Sequence, residues 1–440
     1  MRKILLTAVS VAALTSGNAF AAPAQPSVAS NVSTITQTDH DNEATVTQNL
    51  GYNGESTVTQ NGSHGTATVN QSDADIGPYT LQANFSTIDQ RAGSVGATAN
   101  VTQHNTPDYA KENTSEVHQD GNYATANVDQ NGKGNNSDVW QTLYYGNGVE
   151  ATVNQTGVDN QSLVDQDGDY NTATVNQTGE GNDSWVEQDT LTSDSDAYVD
   201  QLGNGNIAHS WQHDSELATT DIYQDGNDND ADAHQDHVYF TEIYVDQYGN
   251  NNDSDNFQDD VANSEIDVYQ EGDYNYSYAE QEGTHAYGVY NSGIYVTQIG
   301  DNNASNATQT HVSNGVIEVY QDGDGNESIA SQENVFNTSF GSSYGIYVEQ
   351  GSDNNYSEAT QEFGNDNLID VVQHEGNGNV SYAYQTGNNH TAYIHQDGTH
   401  NWSDVNQSGD GHYASVTQTY GYNISNVTQT GLSNVAIVTQ

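Results

Sequence analysis

The stretch 224–247, QDGNDNDADAHQDHVYFTEIYVDQ, carries the grammar of the whole chain. Gln224 opens it, Gly226 and Asn229 follow at +2 and +5, Gln235 arrives at +11, and Gln247 closes it 12 residues later. Between the glutamines the residues alternate. Ala231, Ala233 and Gln235 share one parity, while Asp230, Asp232 and His234 share the other; Ile243 and Val245 then run on the parity of Gln247. A period of two means strands, with one face buried and one solvated. An Asp-Gly pair between two such runs is turn chemistry. The stretch therefore reads as one strand–turn–strand rung, with residues 236–242 as a second, more variable corner.

The same offsets recur in both directions. Toward the N-terminus stand Gln201, Gly203, Asn206 and Gln212. Toward the C-terminus the set is Gln247, Gly249, Asn252 and Gln258, and then Gln270, Gly272, Asn275 and Gln281. It continues as Gln298, Gly300, Asn303 and Gln309, and as Gln321, Gly323, Asn326 and Gln332. Before Gln270, Gln298 and Gln321 the inward positions are Ile and Val; before Gln281, Gln309 and Gln332 they are Ala and Ser. A single rung of this kind buries almost nothing, so rungs must stack on one another. The inward Gln and Asn need partners, because an unpaired buried amide costs about 1–3 kcal/mol. Identical amides in register satisfy one another along a cross-β stack. The expectation is an all-β fold without helix: a β-solenoid of about 18 rungs, with these Gln and Asn as the amide ladder and these Gly as turns.

Composition agrees with a fold held by repetition. The 440 residues carry a formal net charge of -56, five Lys and Arg together, no Cys, and only 33% hydrophobic residues. Such acidity excludes nucleic acid, whose phosphates need Lys and Arg, and anionic membranes for the same reason. It allows diffuse cation binding along the solvated faces. Residues 1–21 read as a signal peptide, with Arg2 and Lys3, an apolar run over Ile4 to Leu14, and cleavage after Ala21. Residues 22–36 read as a leader and 37–440 as one repeat array. The array reads as irregular at 72–118, with loop insertions at 282–297 and 333–349. No later run is apolar enough for membrane insertion.

With those offsets in place the chain resembles the curlin repeat of bacterial curli. SEIDVYQEGDYNYSYAEQ (264–281) matches that framework at Ser264, Gln270, Gly272, Asn275 and Gln281, with Ser277 in place of Ala. DSELATTDIYQDGNDNDADAHQ (214–235) matches it at Gln224, Gly226, Asn229, Ala231 and Gln235. The resemblance implies the major subunit of a functional amyloid fibre, self-polymerising on the surface of a Gram-negative bacterium as biofilm matrix. It also implies a minor nucleator subunit and an outer-membrane secretion pore as partners. The chain departs from the family in length, in a leader without a Gly-rich segment, and in His390 and His412 at Asn positions.

Other constellations are weaker. Trp140, Trp185, Trp211, Trp402, Tyr223, Tyr269 and Tyr320 fall on outward positions, where stacking between rungs explains them better than ligand binding. Asp322-Gly323-Asp324-Gly325-Asn326 resembles a calcium-loop start but lacks the acidic residue at position 12. No residue stands out as catalytic and no cofactor is implied, so no enzyme is expected. The competing reading is a monomeric acidic β-solenoid, an adhesin or an ice- or carbohydrate-binding module. Its outward residues mix Asp, Tyr, Thr and His where ice binding would favour regular Thr arrays.

Overall fold

A computed structural model describes residues 31–49, 54–73, 84–105, 111–283, 289–337 and 345–440. The signal segment, its cleavage site after Ala21 and leader residues 22–30 lie outside these. The described residues are strand and turn, with no helix. They fall into two units, divided after Asp194.

In the first unit the strands alternate between two parallel sheets. One runs from Val32–Gln37 through Glu55–Gln60, Phe85–Gln90 and Thr114–Asn122 to Asn136–Asn147, Gln161–Asp169 and Asp183–Ser193. The other runs from Glu43–Asn49 through Thr66–Asp73, Thr98–Asn105 and Thr125–Lys133 to Glu150–Val158 and Thr172–Glu180. Each strand pairs with the next strand but one, so every two consecutive strands make one rung.

Three expected boundaries change. Regular pairing begins at Val32, inside the expected leader, because VSTITQ has the same alternation as ESTVTQ, with which it pairs in register. Within 72–118 three strands keep the stack, and Gln60, Gln90 and Gln119 remain in register. The insertions expected at 282–297 and 333–349 are shorter, since Gly293–Ile299 and Gly345–Gln350 are paired strands.

The second unit repeats the plan. Its first sheet contains Thr219–Asn227, Tyr239–Asn250, Val261–Glu271, Gly293–Ile299 and Val316–Asp322, and continues to Val435–Thr439. Its second contains Ile207–His213, Asp230–Asp236, Asp253–Asp259, Tyr276–Glu282 and Ala304–Thr310, and continues to Ile424–Leu432.

The interior follows the parity. In the second unit Ile243, Ile266, Ile294, Ile317, Ile346 and Ile369 form one buried column, and Ser254, Ser277, Ser305, Ser328 and Ser357 form another on the second sheet. Bulk on one sheet faces small side chains on the other across a thin interior. The first unit solves the same problem differently. There both sheets carry a branched residue: Val69, Val101 and Val128 beside Ala67, Ala99 and Ala126 on one, Val58, Ile88 and Val117 beside Ser56, Ser86 and Ser115 on the other. The expectation of one bulky and one small sheet thus holds from Ile243 to Ile369 and not for the first unit.

Candidate functional site: three side-chain ladders

The inward glutamines close each strand and share one geometry. Gln224 Nε2 donates to Gln247 Oε1 at 2.9 Å, Gln247 to Gln270 at 2.9 Å and Gln270 to Gln298 at 2.8 Å. The chain of amides begins in this unit at Gln201 and continues through Gln321. On the second sheet Gln212, Gln235, Gln258, Gln281, Gln309 and Gln332 form the equivalent ladder at 2.8–3.0 Å. The remaining Nε2 proton crosses the rung: Gln247 donates to the Asp230 carbonyl and Gln224 to the Ile207 carbonyl. Gln224 and Gln247 therefore tie their rungs to the next and also tie the two strands of their own rungs together. All of the ladder glutamines are buried.

The asparagines work by a different route from the one expected. They bond backbone instead of one another's amides. Asn206 Oδ1 accepts the backbone N–H of Asn229 at 3.1 Å, Asn229 that of Asn252 at 3.0 Å, and Asn252 that of Asn275 at 3.0 Å. The relation continues through Asn303 and Asn326. The Nδ2 groups donate to the carbonyl of the next turn: Asn206 to Gly226, Asn229 to Gly249, Asn252 to Gly272 and Asn275 to Gly300. Asparagine is short, so it stays at the corner and stitches turn to turn, where glutamine spans the rung.

That turn explains the glycines. Gly203, Gly226, Gly249, Gly272, Gly300 and Gly323 have φ between 106 and 147°, a region that side chains disfavour. They also stack tightly: a Cβ on Gly226 would lie 1.7 Å from the Gly249 carbonyl oxygen.

A third ladder is one that the sequence reading misses. At the residue after each turn glycine, the side-chain oxygen of one rung accepts the backbone N–H of the rung before it. Asn227 serves Asn204, Asn250 serves Asn227, Asp273 serves Asn250, Asp301 serves Asp273, and Asp324 serves Asp301. Its signal is Asn or Asp at +3 from each Gln, which on its own looks like general turn polarity. The calcium-like run at 322–326 belongs to this ladder.

The outward faces carry the charge. On the first sheet of the second unit acids and tyrosines alternate in register: Asp221, Tyr244, Asp267, Tyr295, Glu318, Tyr347, Asp370 and Tyr393 form one column. Within this column like charges on neighbouring rungs are thereby kept apart, although Glu242 stands over Glu265 beside it. Tyrosines meet diagonally, Tyr223 on Tyr248 at 5.4 Å and Tyr248 on Tyr269 at 5.5 Å. Trp140 stacks on His118 at 4.0 Å, and Trp211 meets His234 edge-on at 3.8 Å. On the second sheet Asp230 stands over Asp253 and Asp232 over Asp255. Burial, then Asp255, Asp230 and Asp232, push Asp253 up to about 6. At the second corner Asp236, His237 and Asp259 place ligand atoms within 4.8 Å of one another, a set that could hold a divalent cation. All three are partly exposed, and His237 Nδ1 lies 2.9 Å from Asp236.

A family model described as the Curlin associated repeat matches residues 121–157, 146–179, 218–255, 262–286, 364–398 and 391–419. A search of curated proteins finds no match.

Proposed function

The chain belongs to the curlin-repeat family, and from that premise we propose that it is the major subunit of an extracellular, curli-like amyloid fibre that serves as biofilm matrix and in surface adhesion. The family and the β-solenoid support a curli-like structural subunit of the bacterial surface. The finer reading rests on one observation: each rung presents Nε2 donors on one side and Oε1 acceptors on the other, in the same register as its neighbours. Parallel, in-register pairing adds rungs by one set of contacts at every step, and a second copy can supply those contacts as well as the same chain can. The fibre is then a homopolymer grown by templated addition. A signal peptide cleaved after Ala21, read from the N-terminal residues, and a nucleator subunit and an outer-membrane pore, by resemblance to the family, complete the proposal.

Electron microscopy and thioflavin kinetics on the purified chain test it. Unbranched fibres are expected, growing faster as salt rises, because screening weakens repulsion between stacked carboxylates such as Asp230 and Asp253. A chain that stays monomeric for days at high salt would instead support the solitary adhesin.

A further inference from the structure

The asparagine column has two substitutions. In the corner that follows the second sheet of the second unit, the column runs Asn367, His390, His412 and Asn434. His390 N–H donates to Asn367 Oδ1 at 2.9 Å, His412 N–H to His390 Nδ1 at 3.2 Å, and Asn434 N–H to His412 Nδ1 at 3.1 Å. On the other side of each ring, His390 Nε2 lies 3.1 Å from the Thr386 carbonyl and His412 Nε2 3.1 Å from the Ser408 carbonyl. The imidazoles thus copy asparagine: Nδ1 stands in for Oδ1 and Nε2–H for Nδ2–H. The rings stack at 5.0 Å, 9° from parallel, and both residues are buried.

This geometry fixes the tautomer. A backbone N–H can only donate, so each Nδ1 must offer a lone pair. A carbonyl can only accept, so each Nε2 must carry the proton. A second proton on either ring would set N–H against N–H and break the link to the next rung. Two protonated rings would place stacked cations in a buried corner. Asparagine has no such second state.

We infer that His390 and His412 form an acid-opened latch: the rungs around 386–434 hold their corner while both rings are neutral and release it on protonation. The charged groups around the pair do not cancel this. The Asp410 carboxylate favours the proton, but it already accepts from Asn388 Nδ2 at 2.9 Å. On the rung before, Glu362 accepts from the Tyr384 hydroxyl at 2.7 Å, and Asp366 directly precedes Asn367. Burial, the largest cause, pulls His390 below the usual histidine range, aided by His412 and against the Thr386 and Gly409 carbonyls. A group depressed in this way takes up its proton more readily when unfolded. The stabilisation is therefore complete above about pH 6.5 and is lost as the pH falls below that value.

The latch can be tested without any fibre, so its failure is separate from failure of the proposed function. Hydrogen exchange of the full soluble chain would be measured at pH 7.5 and 5.5, corrected for intrinsic rates. Protection over 386–434 is expected to fall severalfold, up to about tenfold, at the lower pH, since one pH unit below the unfolded histidine value costs up to about tenfold for a depressed ring such as His390. Protection over 253–283, which holds no histidine and whose carboxylates Asp253, Asp255, Asp259 and Asp267 are raised, should hold or rise. The double variant His390→Asn with His412→Asn restores the plain column. It should match the native chain at pH 7.5, which shows that it folds, and should lose the response at 5.5. Equal native protection at both pH values, or an equal fall in the double variant, would overturn the latch.

Discussion

The two corners of a rung between residues 219 and 335 differ in what dominates them, although the second also carries a short serine ladder in which Ser264 and Ser292 accept the N–H of Ser292 and Gly315. The first, as at 225–229, is polar: a glycine at positive φ, an Asn bonding the next rung, and a +3 Asn or Asp bonding the rung before. The second, as at 236–241, is closed by an apolar column, Val238, Val261, Val289, Val312 and Val335, all buried. Hydrogen bonds and stacked glycines demand identical geometry on every rung, whereas valine contact is non-directional and tolerates displacement. Both insertions of this region, after Gln281 and after Gln332, fall at the valine corner. The polar corner keeps strict spacing because an extra residue there would break several bonds at once. After Gln361 the second corner too becomes polar, with Gly364 and Asn367, and no insertion follows.

The contrast ranks the expected effects of substitution. Gly226→Ala should do the most damage, since its Cβ meets the Gly249 carbonyl oxygen at 1.7 Å and its φ is 147°. A loss of about 4 kcal/mol or more is expected, seen as loss of exchange protection over 219–250. Gln247→Leu comes next. It strands the Gln224 donor and the Gln270 acceptor, and should cost about 3 kcal/mol in denaturant unfolding. Val261→Ala, at the tolerant corner, should cost about 2 kcal/mol from lost burial and a small cavity. If it costs more than Gln247→Leu, the ranking of the two corners is wrong.

The smallest effect is a pH dependence. Asp230 and Asp253 sit at the exit of the polar corner, both raised, first by burial. Raised carboxylates bind more protons folded than unfolded, so their penalty is present at neutral pH and is relieved as the pH falls through about 6 toward 3.8. Exchange protection over 245–260, clear of the depressed His234, should rise modestly between pH 7 and 5, a trend opposite to that expected around His390. The double variant Asp230→Asn with Asp253→Asn should reduce the rise, leaving the share of Asp246, Asp255 and Asp259, which burial also raises.

Much of this is legible in the sequence, because a solenoid repeats its evidence. The parity of Ile243, Val245 and Gln247, held over many rungs, assigns strands, interior and turns together. What cannot be read is which atom an amide reaches. Gln and Asn look alike as letters, yet one more methylene lets Gln247 span its rung while Asn229 reaches only the next turn. The +3 ladder is hidden for a related reason: Asn and Asp are common in turns whether or not they bond a neighbour. The outward alternation of acid and tyrosine needs the register between rungs, which spacing alone does not give when insertions intervene. Carboxylates stack directly at Asp230 over Asp253 and at Glu242 over Glu265, and not along the column of Asp221 and Tyr244.

The most direct test of the central claim is a cryo-electron microscopy reconstruction of fibres grown from the full chain. Parallel rungs stacked about 4.8 Å apart are expected, with the glutamine columns continuing unbroken from one copy into the next. Fibres in which copies meet side by side, with the glutamine columns ending at each chain boundary, would contradict templated stacking.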